Sequence, residues 1–366
     1  MVKNFLFDIK DQRRKQGQRY ELGHILLLSI LAILSGANSY RKIASFMATQ
    51  YAKLDEAFGL GWKGRPAYTT IRELIRTTNN EELESSFRRY SEALAALNPG
   101  HNQIVFDGKV LRGNFDHFKD QKAIQMLSCF LVEQQIILAH EEISHKTNEI
   151  PTAQEMIERL GVSDKLLTFD ALHCQEKTLR VAQASGNEVI VQVKANQKTL
   201  LNDCKRVAST QAADATYQEP FSKAHNRIES RKVEFFLEPD LTDADKWQAV
   251  AAVLKVERFR QSFHTKTKSW KNSHETAYYI ATTLLPPDEF CFVIRNHWGI
   301  ENRDHYVRDV TFAEDRSRIR NNPLLFAKLR SFALNILRVN RVHNVSQALF
   351  DNCMNLNSVL NYVGVR

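Results

Sequence analysis

The amino-acid sequence predicts an α/β protein built on a mixed sheet, with an N-terminal helical domain and a mostly β insertion. Three observations predict it. Apolar residues recur at helical spacing through residues 1–98. From residue 99 to 205, short apolar runs precede and then alternate with helical segments. Residues 206–283 carry strand-like runs joined by basic, polar connections, and helical spacing returns over 284–366.

In the first region, Tyr20 to Leu34 reads as an apolar helix that stops at Gly36-Ala37-Asn38. Tyr40 to Tyr51 sets Ile43, Phe46 and Met47 at helical spacing. A glycine-rich break, GLGWKGRPAYTT, leads through Pro66 into a helix over Thr70 to Arg76, and Glu81 to Leu97 forms a fourth. Arg65, Arg72 and Arg76 in this helix–turn–helix arrangement suit docking in a DNA groove. A helical cap on a larger domain fits the same pattern.

The second region opens with an apolar run, Gln103 to Asp107, that ends in the turn pair Asp-Gly. Met126 to Val132 and Gln135 to Ala139, parted by Glu133-Gln134, read as a tight antiparallel hairpin. Ala153 to Leu160 is a helix, Leu166 to Phe169 a buried strand, Gln175 to Ala184 a helix and Val189 to Val193 another buried strand. A meander followed by helix, strand, helix, strand mixes antiparallel with parallel pairing, unlike a doubly wound sheet. A polar helix near Lys198 to Ala208 leads to strands at Val233–Leu237, Val250–Val256 and Thr276–Thr283. From Pro286 to about Arg341 the spacing is helical.

A chain of 366 residues accommodates two or three such units. With 43% hydrophobic and 25% charged residues it is neither collagen-like nor wholly disordered. A net charge of +8 allows a polyanionic partner. The five cysteines contain no CxxC pair, which argues against a disulfide framework or a cysteine zinc site and fits a reducing cytosol. The charged opening segment lacks a signal-peptide pattern. Ile25 to Leu34 is far short of the roughly 20 apolar residues of a spanning helix, so it reads as a buried helix of a cytoplasmic protein.

Two aspartates stand where strands end: Asp107 after the first and Asp170 after the fourth. Strand ends commonly present reactive groups in α/β sheets. If these strands are neighbours, the two carboxylates meet, repel each other, and favour a hard cation such as Mg²⁺ or Mn²⁺ between them. A third acid is expected from the segment RNHWGIENRDHYVRDVTFAEDRSRIR. On one helix from Pro287 onward, Phe290, Ile294, His297, Trp298, Glu301, His305 and Arg308 share a face. A carboxylate there would be metal-bound or ion-paired to His305 or Arg308. Both readings stand, whereas Glu314 and Asp315 look solvated.

These segments also carry a family resemblance. DGKVLRGN at 107–114, HKTNEIP at 145–151, TFDALHCQ at 168–175, VKANQKTL at 193–200, HNRIESR at 225–231 and HWGIEN…RDVTFAED at 297–315 together resemble the DDE insertion-sequence transposases of the ISAs or H-repeat-associated branch. The likeness runs nearly end to end. It implies a ribonuclease-H-like catalytic core that cleaves DNA and transfers strands at the ends of an insertion sequence. It also implies two Mg²⁺ or Mn²⁺ ions per active site, held by Asp107, Asp170 and Glu301. Partners would be the inverted repeats at the element's ends, target DNA, and a second subunit in a homodimer, in a bacterial cytoplasm at the nucleoid. Related transposases carry a Tyr-Arg-Glu-Lys signature; here Ile294, His297 and Arg308 take the places of the Tyr, Arg and Lys.

Lys109, Arg112, Lys194, Lys198, His297 and Arg308 are the candidates for contacting DNA phosphates, against the alternative of ordinary surface charge. The insertion adds Lys255, Arg258, Arg260, Lys266, Lys268 and Lys271, with Phe259, Phe263 and Trp270 interleaved. Such aromatics stack on unpaired bases or form the buried face of a strand. The interval from Asp170 to Glu301 exceeds one helix–strand crossover and requires this inserted chain. A metal-dependent nuclease that cuts without joining would use the same carboxylates. An inactive DNA-binding remnant of a mobile element would not need them.

Overall fold

The computed structural model describes residues 1–97, 103–111, 124–143, 148–224 and 226–365. Helices α1 (Val2–Phe7), α2 (Leu22–Leu34), α3 (Tyr40–Thr49), α4 (Tyr51–Phe58), α5 (Tyr68–Thr77) and α6 (Asn80–Ala96) lead. Strands β1 (Gln103–Val110), β2 (Gln125–Leu131) and β3 (Ile136–Ile143) follow. Then α7 (Glu149–Leu160), β4 (Leu166–Phe169), α8 (Glu176–Ala184), β5 (Glu188–Val193) and α9 (Lys198–Thr210) alternate. Strands β6 (Ala215–Gln218), β7 (Ser222–Ala224), β8 (Arg227–Leu237), β9 (Ala252–His264) and β10 (Ser269–Ala281) come next. Helices α10 (Pro287–His297), α11 (Pro323–Val339), α12 (Val345–Met354) and α13 (Leu356–Leu360) complete the order. Three strands followed by helix-linked β4 and β5 is the mixed α/β succession the sequence leads one to expect.

The chain forms two compact units that alternate along the sequence. Unit 1 comprises Met1–His101, Gly108–Thr147 and Ile300–Arg366; unit 2 comprises Asn102–Asp107 and Asn148–Gly299. Strand β1 passes from unit 2 into unit 1 after Asp107.

In unit 1, every residue of α2 is buried. A helix that is apolar all round belongs in a core, and α2 packs against α1, α3 and α11. No helix among the described residues is long and apolar enough to cross a membrane. Strands β2 and β3 pair antiparallel as the expected hairpin. The outer edge of β3 is closed by buried polar side chains. Asn335 of α11 accepts from Ile137 N at 3.0 Å and donates to Ile137 O at 2.8 Å, while Glu84 of α6 accepts from His140 N at 2.7 Å. These bonds satisfy strand groups that would otherwise be buried without partners.

In unit 2, the strand order is β1-β4-β5-β10-β9-β8-β6, with β7 beside β8. β1, β4 and β5 run parallel; Val105 pairs with Thr168, and Thr168 with Ile190. Their sequences are nearly continuous apolar runs because both faces are covered. The segment 206–283 does not form a separable sheet. Strand β10 pairs antiparallel with β5, Tyr278 opposite Val193, and makes one surface with the core strands. Phe290, Cys291, Val293 and Ile294 of α10 pack on Val233, Leu254, Tyr279 and Ile190 from four strands of that surface. Strands β9 and β10 also run farther than their apolar halves. Their distal halves, 257–264 and 269–275, are mostly exposed or half-buried. Backbone pairing holds them without an apolar face, so periodicity does not reveal them.

Candidate active site

Asp107 and Asp170 each follow in-register stretches of β1 and β4, which are neighbours in unit 2. The β1–β4 register ends with Val105 opposite Thr168. One position on, the Phe106 and Phe169 rings stack with centroids 5.0 Å apart and planes 22° from parallel. Asp107 and Asp170 are the next residues along each segment. Both residues are half-buried. Asp170 follows β4 directly, as the sequence suggests, whereas β1 continues past Asp107 to Val110. Carboxylate oxygens are the donors that a hard divalent cation takes. Among the described residues, no group of three or more His, Cys, Asp or Glu side chains is assembled as a metal site.

Asp170 is held on its own turn. Its Oδ1 accepts from Leu172 N at 3.0 Å, capping the short helical turn Ala171–His173. Asn196 donates to Ala171 O at 2.6 Å, and Gln197 donates to Cys174 O at 2.9 Å. His173, buried, pairs with Glu149 of α7 at 3.1 Å. The segments VKANQ and NEIP therefore meet the turn that follows Asp170.

A buried polar link ties α10 to the same strands. Gln103 of β1 donates to Thr168 Oγ1 at 3.3 Å and to Val293 O at 2.9 Å. His297 Nδ1 lies 3.1 Å from Thr168 Oγ1. Burial, helped by the charge of His173, pushes the His297 pKa down to about 4. Its ring is thus neutral at pH 7 and only 8% exposed.

The segment carrying Glu301 and Arg308 departs from the continuous helix expected of it. Helix α10 ends at His297, and Gly299, a poor helix former, follows. The chain then winds in two wide turns of π type, Glu301–His305 and Val307–Thr311, with Tyr306 N bonded to Glu301 O and Phe312 N to Val307 O. Five-residue hydrogen-bonded turns shift the phase of the side chains relative to an α-helix. Glu301 and Arg308 consequently do not share a face: Glu301 is exposed and Arg308 fully buried.

Arg308 lies 3.7 Å from Asp304 and 3.2 Å from Glu314. Glu314, which the sequence suggests is solvated, is 4% exposed. It also meets Lys109 at 2.8 Å and Arg330 at 3.4 Å, and Lys109 meets Asp309 at 2.6 Å. Burial opposes ionisation of Glu314, but Arg308, Lys109 and Arg330 outweigh it and hold the carboxyl well below its ordinary range. Composition and helical spacing hide this cluster, because its members come from β1, from 304–314 and from α11. The one sequence sign is the density of opposite charges in RDHYVRDVTFAEDRSR.

Of the remaining expected phosphate contacts, Lys194 and Lys198 are exposed where the chain leaves β5. Arg112 lies outside the described residues, as does the start of HKTNEIP. In the β9–β10 hairpin, Trp270 is 47% and Phe259 37% exposed, so these aromatics are not a buried strand face. The Phe259 ring stacks on His274 at 4.5 Å.

A family described as Transposase DDE domain matches residues 98–336, and one described as DDE_Tnp_1-associated matches residues 3–91. The chain belongs to the DDE transposase family. This transposase is 28% identical over 341 residues to "Putative protein YbfL" of Escherichia coli K12, covering 91% of this chain and 89% of that one. It is 28% identical to "Putative transposase YncI" of Escherichia coli O157:H7, over 92% and 86% of the two chains. It is 27% identical to "H repeat-associated putative transposase YhhI" of Escherichia coli K12, over 91% and 89%. Among solved structures, a piggyBac transposase synaptic complex with hairpin DNA aligns over 99% of this chain and 79% of its own, at 10% identity and a TM-score of 0.45.

Proposed function

We propose that this transposase cleaves DNA at the ends of an insertion sequence and joins those ends to target DNA. What supports the proposal is the register of parallel strands β1 and β4, with Phe106 stacked on Phe169 immediately before Asp107 and Asp170, in a chain of this family. Glu301 is added on the sequence pattern HWGIEN. These three carboxylates would hold Mg²⁺ or Mn²⁺, two ions per active site. When bound, the ions would activate the attacking hydroxyl and stabilise the leaving oxygen.

The chain's own residues orient and bind. Leu172 N fixes one oxygen of Asp170. Exposed Lys194 and Lys198 would take DNA phosphates, a contact independent of sequence and weakened by salt. Lys109 and Arg308 are enclosed with Glu314, and His297 is enclosed beside Thr168, so the proposal gives them structural roles within their own units rather than contact with DNA. A homodimer acting on paired ends in the bacterial cytoplasm belongs to the same reading.

The test supplies the protein with a supercoiled plasmid carrying the element's ends, with Mg²⁺, with Mn²⁺ and with chelator. Cleavage at the ends followed by joined products, both requiring the cation, is the expected outcome. Cleavage without joined products would make the protein a nuclease. No cleavage with retained end binding would make it an inactive DNA-binding remnant.

A further inference from the structure

Beyond the carboxylates themselves, we infer that Asn196 and Gln197 are positioning residues for Asp170, acting through the turn at 171–174. The inference rests on the proposed role of Asp170 as a cation ligand. Asp170 has left the sheet, so no strand pairing fixes it; its backbone φ,ψ of −72° and 176° is extended and leads into a single turn. A lone turn of this length makes few bonds of its own. Here His173 N reaches Asp170 O at 3.3 Å and Cys174 N reaches Ala171 O at 3.2 Å.

The turn's outward carbonyls are met from one place. Asn196 takes Ala171 O at 2.6 Å, and Gln197 takes Cys174 O at 2.9 Å and Gln175 Oε1 at 3.1 Å. Both amides stand just beyond β5, the strand next to β4 in the sheet. Asn196 is itself an exposed residue, and an exposed loop residue gains nothing in packing from an amide. Its side-chain amide nonetheless bonds the residue after Asp170. Because Leu172 N holds Asp170 Oδ1, fixing Ala171 and Cys174 fixes the direction of the remaining oxygen. Partners of this kind around a metal ligand typically change affinity by about 10- to 100-fold when removed.

The experiment uses the full chain with Asn196→Ala, Gln197→Ala, the double variant and Asp170→Asn. Amide hydrogen exchange without metal is followed across 170–176, and Mn²⁺ binding is titrated by electron paramagnetic resonance. Cleavage of an end-bearing plasmid is then measured against Mg²⁺ concentration. In the double variant, exchange at Leu172 to Cys174 should quicken, and Mn²⁺ should bind about 10-fold more weakly. The Mg²⁺ concentration for half-maximal cleavage should rise by a similar factor, with saturating cation restoring most of the rate. The single variants should show the same changes in smaller measure and keep the wild-type melting temperature. Unaltered exchange and Mn²⁺ affinity in the double variant, with Asp170→Asn losing Mn²⁺, would overturn the inference and leave Asp170's role standing. Wild-type Mn²⁺ binding by Asp170→Asn would overturn both.

Discussion

His297 Nδ1 lies 3.1 Å from Thr168 Oγ1, two residues before Asp170. The contact joins the last turn of α10 to β4, the strand that leads into Asp170. Burial pushes the His297 pKa to about 4 from its ordinary 6.5. A group with a depressed pKa in the folded chain lends stability that is complete above the unfolded pKa and is lost as pH falls through the folded one. Stability should therefore decline between about pH 6.5 and pH 4, by an amount on the order of 3 kcal/mol from this ring. Urea unfolding of wild type and His297→Gln across that range checks it. A variant whose stability falls as steeply as wild type would place the pH dependence elsewhere.

Asp170→Asn keeps the shape of the side chain and can still accept from Leu172 N, but it removes the charge. Cleavage should drop by about three orders of magnitude, while affinity for the element's ends stays within about twofold, because phosphate contacts are untouched. Parallel gel-shift and cleavage assays measure both. Joint loss of binding and cleavage in a folded variant would give the aspartate another task.

Arg308 and Glu301 should separate cleanly. Arg308→Ala leaves Glu314 and Asp304 buried beside less positive charge and should cost about 3–5 kcal/mol. Glu314→Gln should cost a comparable amount, since three cations then lose their shared carboxylate. Glu301→Gln, at an exposed position, should leave the unfolding midpoint nearly unchanged and remove cleavage. Chemical denaturation together with plasmid cleavage tests all three. A stable Arg308→Ala that cannot cleave would return Arg308 to the reaction itself.

The β9–β10 hairpin should bind DNA electrostatically. Lys266, Lys268 and Lys271 are exposed and form no ion pair among the described residues, unlike Lys255 and Arg258, which meet Glu234 and Glu229. Charge reversal at the three lysines should weaken binding and flatten the slope of log affinity against log salt by about 2–3. Fluorescence anisotropy at several salt concentrations reads that slope. An unchanged slope would mean these lysines face only solvent.

The local elements were legible wherever burial leaves a period. Strand β4 is legible residue for residue, and α2 to within two residues, because Leu167–Phe169 and Leu22–Leu34 are buried throughout. Asp170 is legible as a strand-end acid, whereas Asp107 lies inside β1, which runs on to Val110; the motif order names the family. Helices α1 and α4 are too short, at six and eight residues, to show a helical period. Periodicity does not reveal the outer halves of β9 and β10 either, since their pairing needs no apolar face.

What the sequence by itself determined, then, was the alternation of elements, the family and the two strand-borne carboxylates, all of which follow from local periodicity and motif order. The tertiary structure decided which charges are buried. Glu314 reads as solvated because it stands in a run of charged residues, Glu314-Asp315-Arg316. It is enclosed because Lys109 from β1 and Arg330 from α11 arrive from far along the chain. It likewise decided that Asn196 and Gln197 face the turn after Asp170, since only pairing of β5 with β4 brings those segments side by side. Desolvation and hydrogen bonding depend on neighbours in space, and those neighbours exist only once the chain has folded.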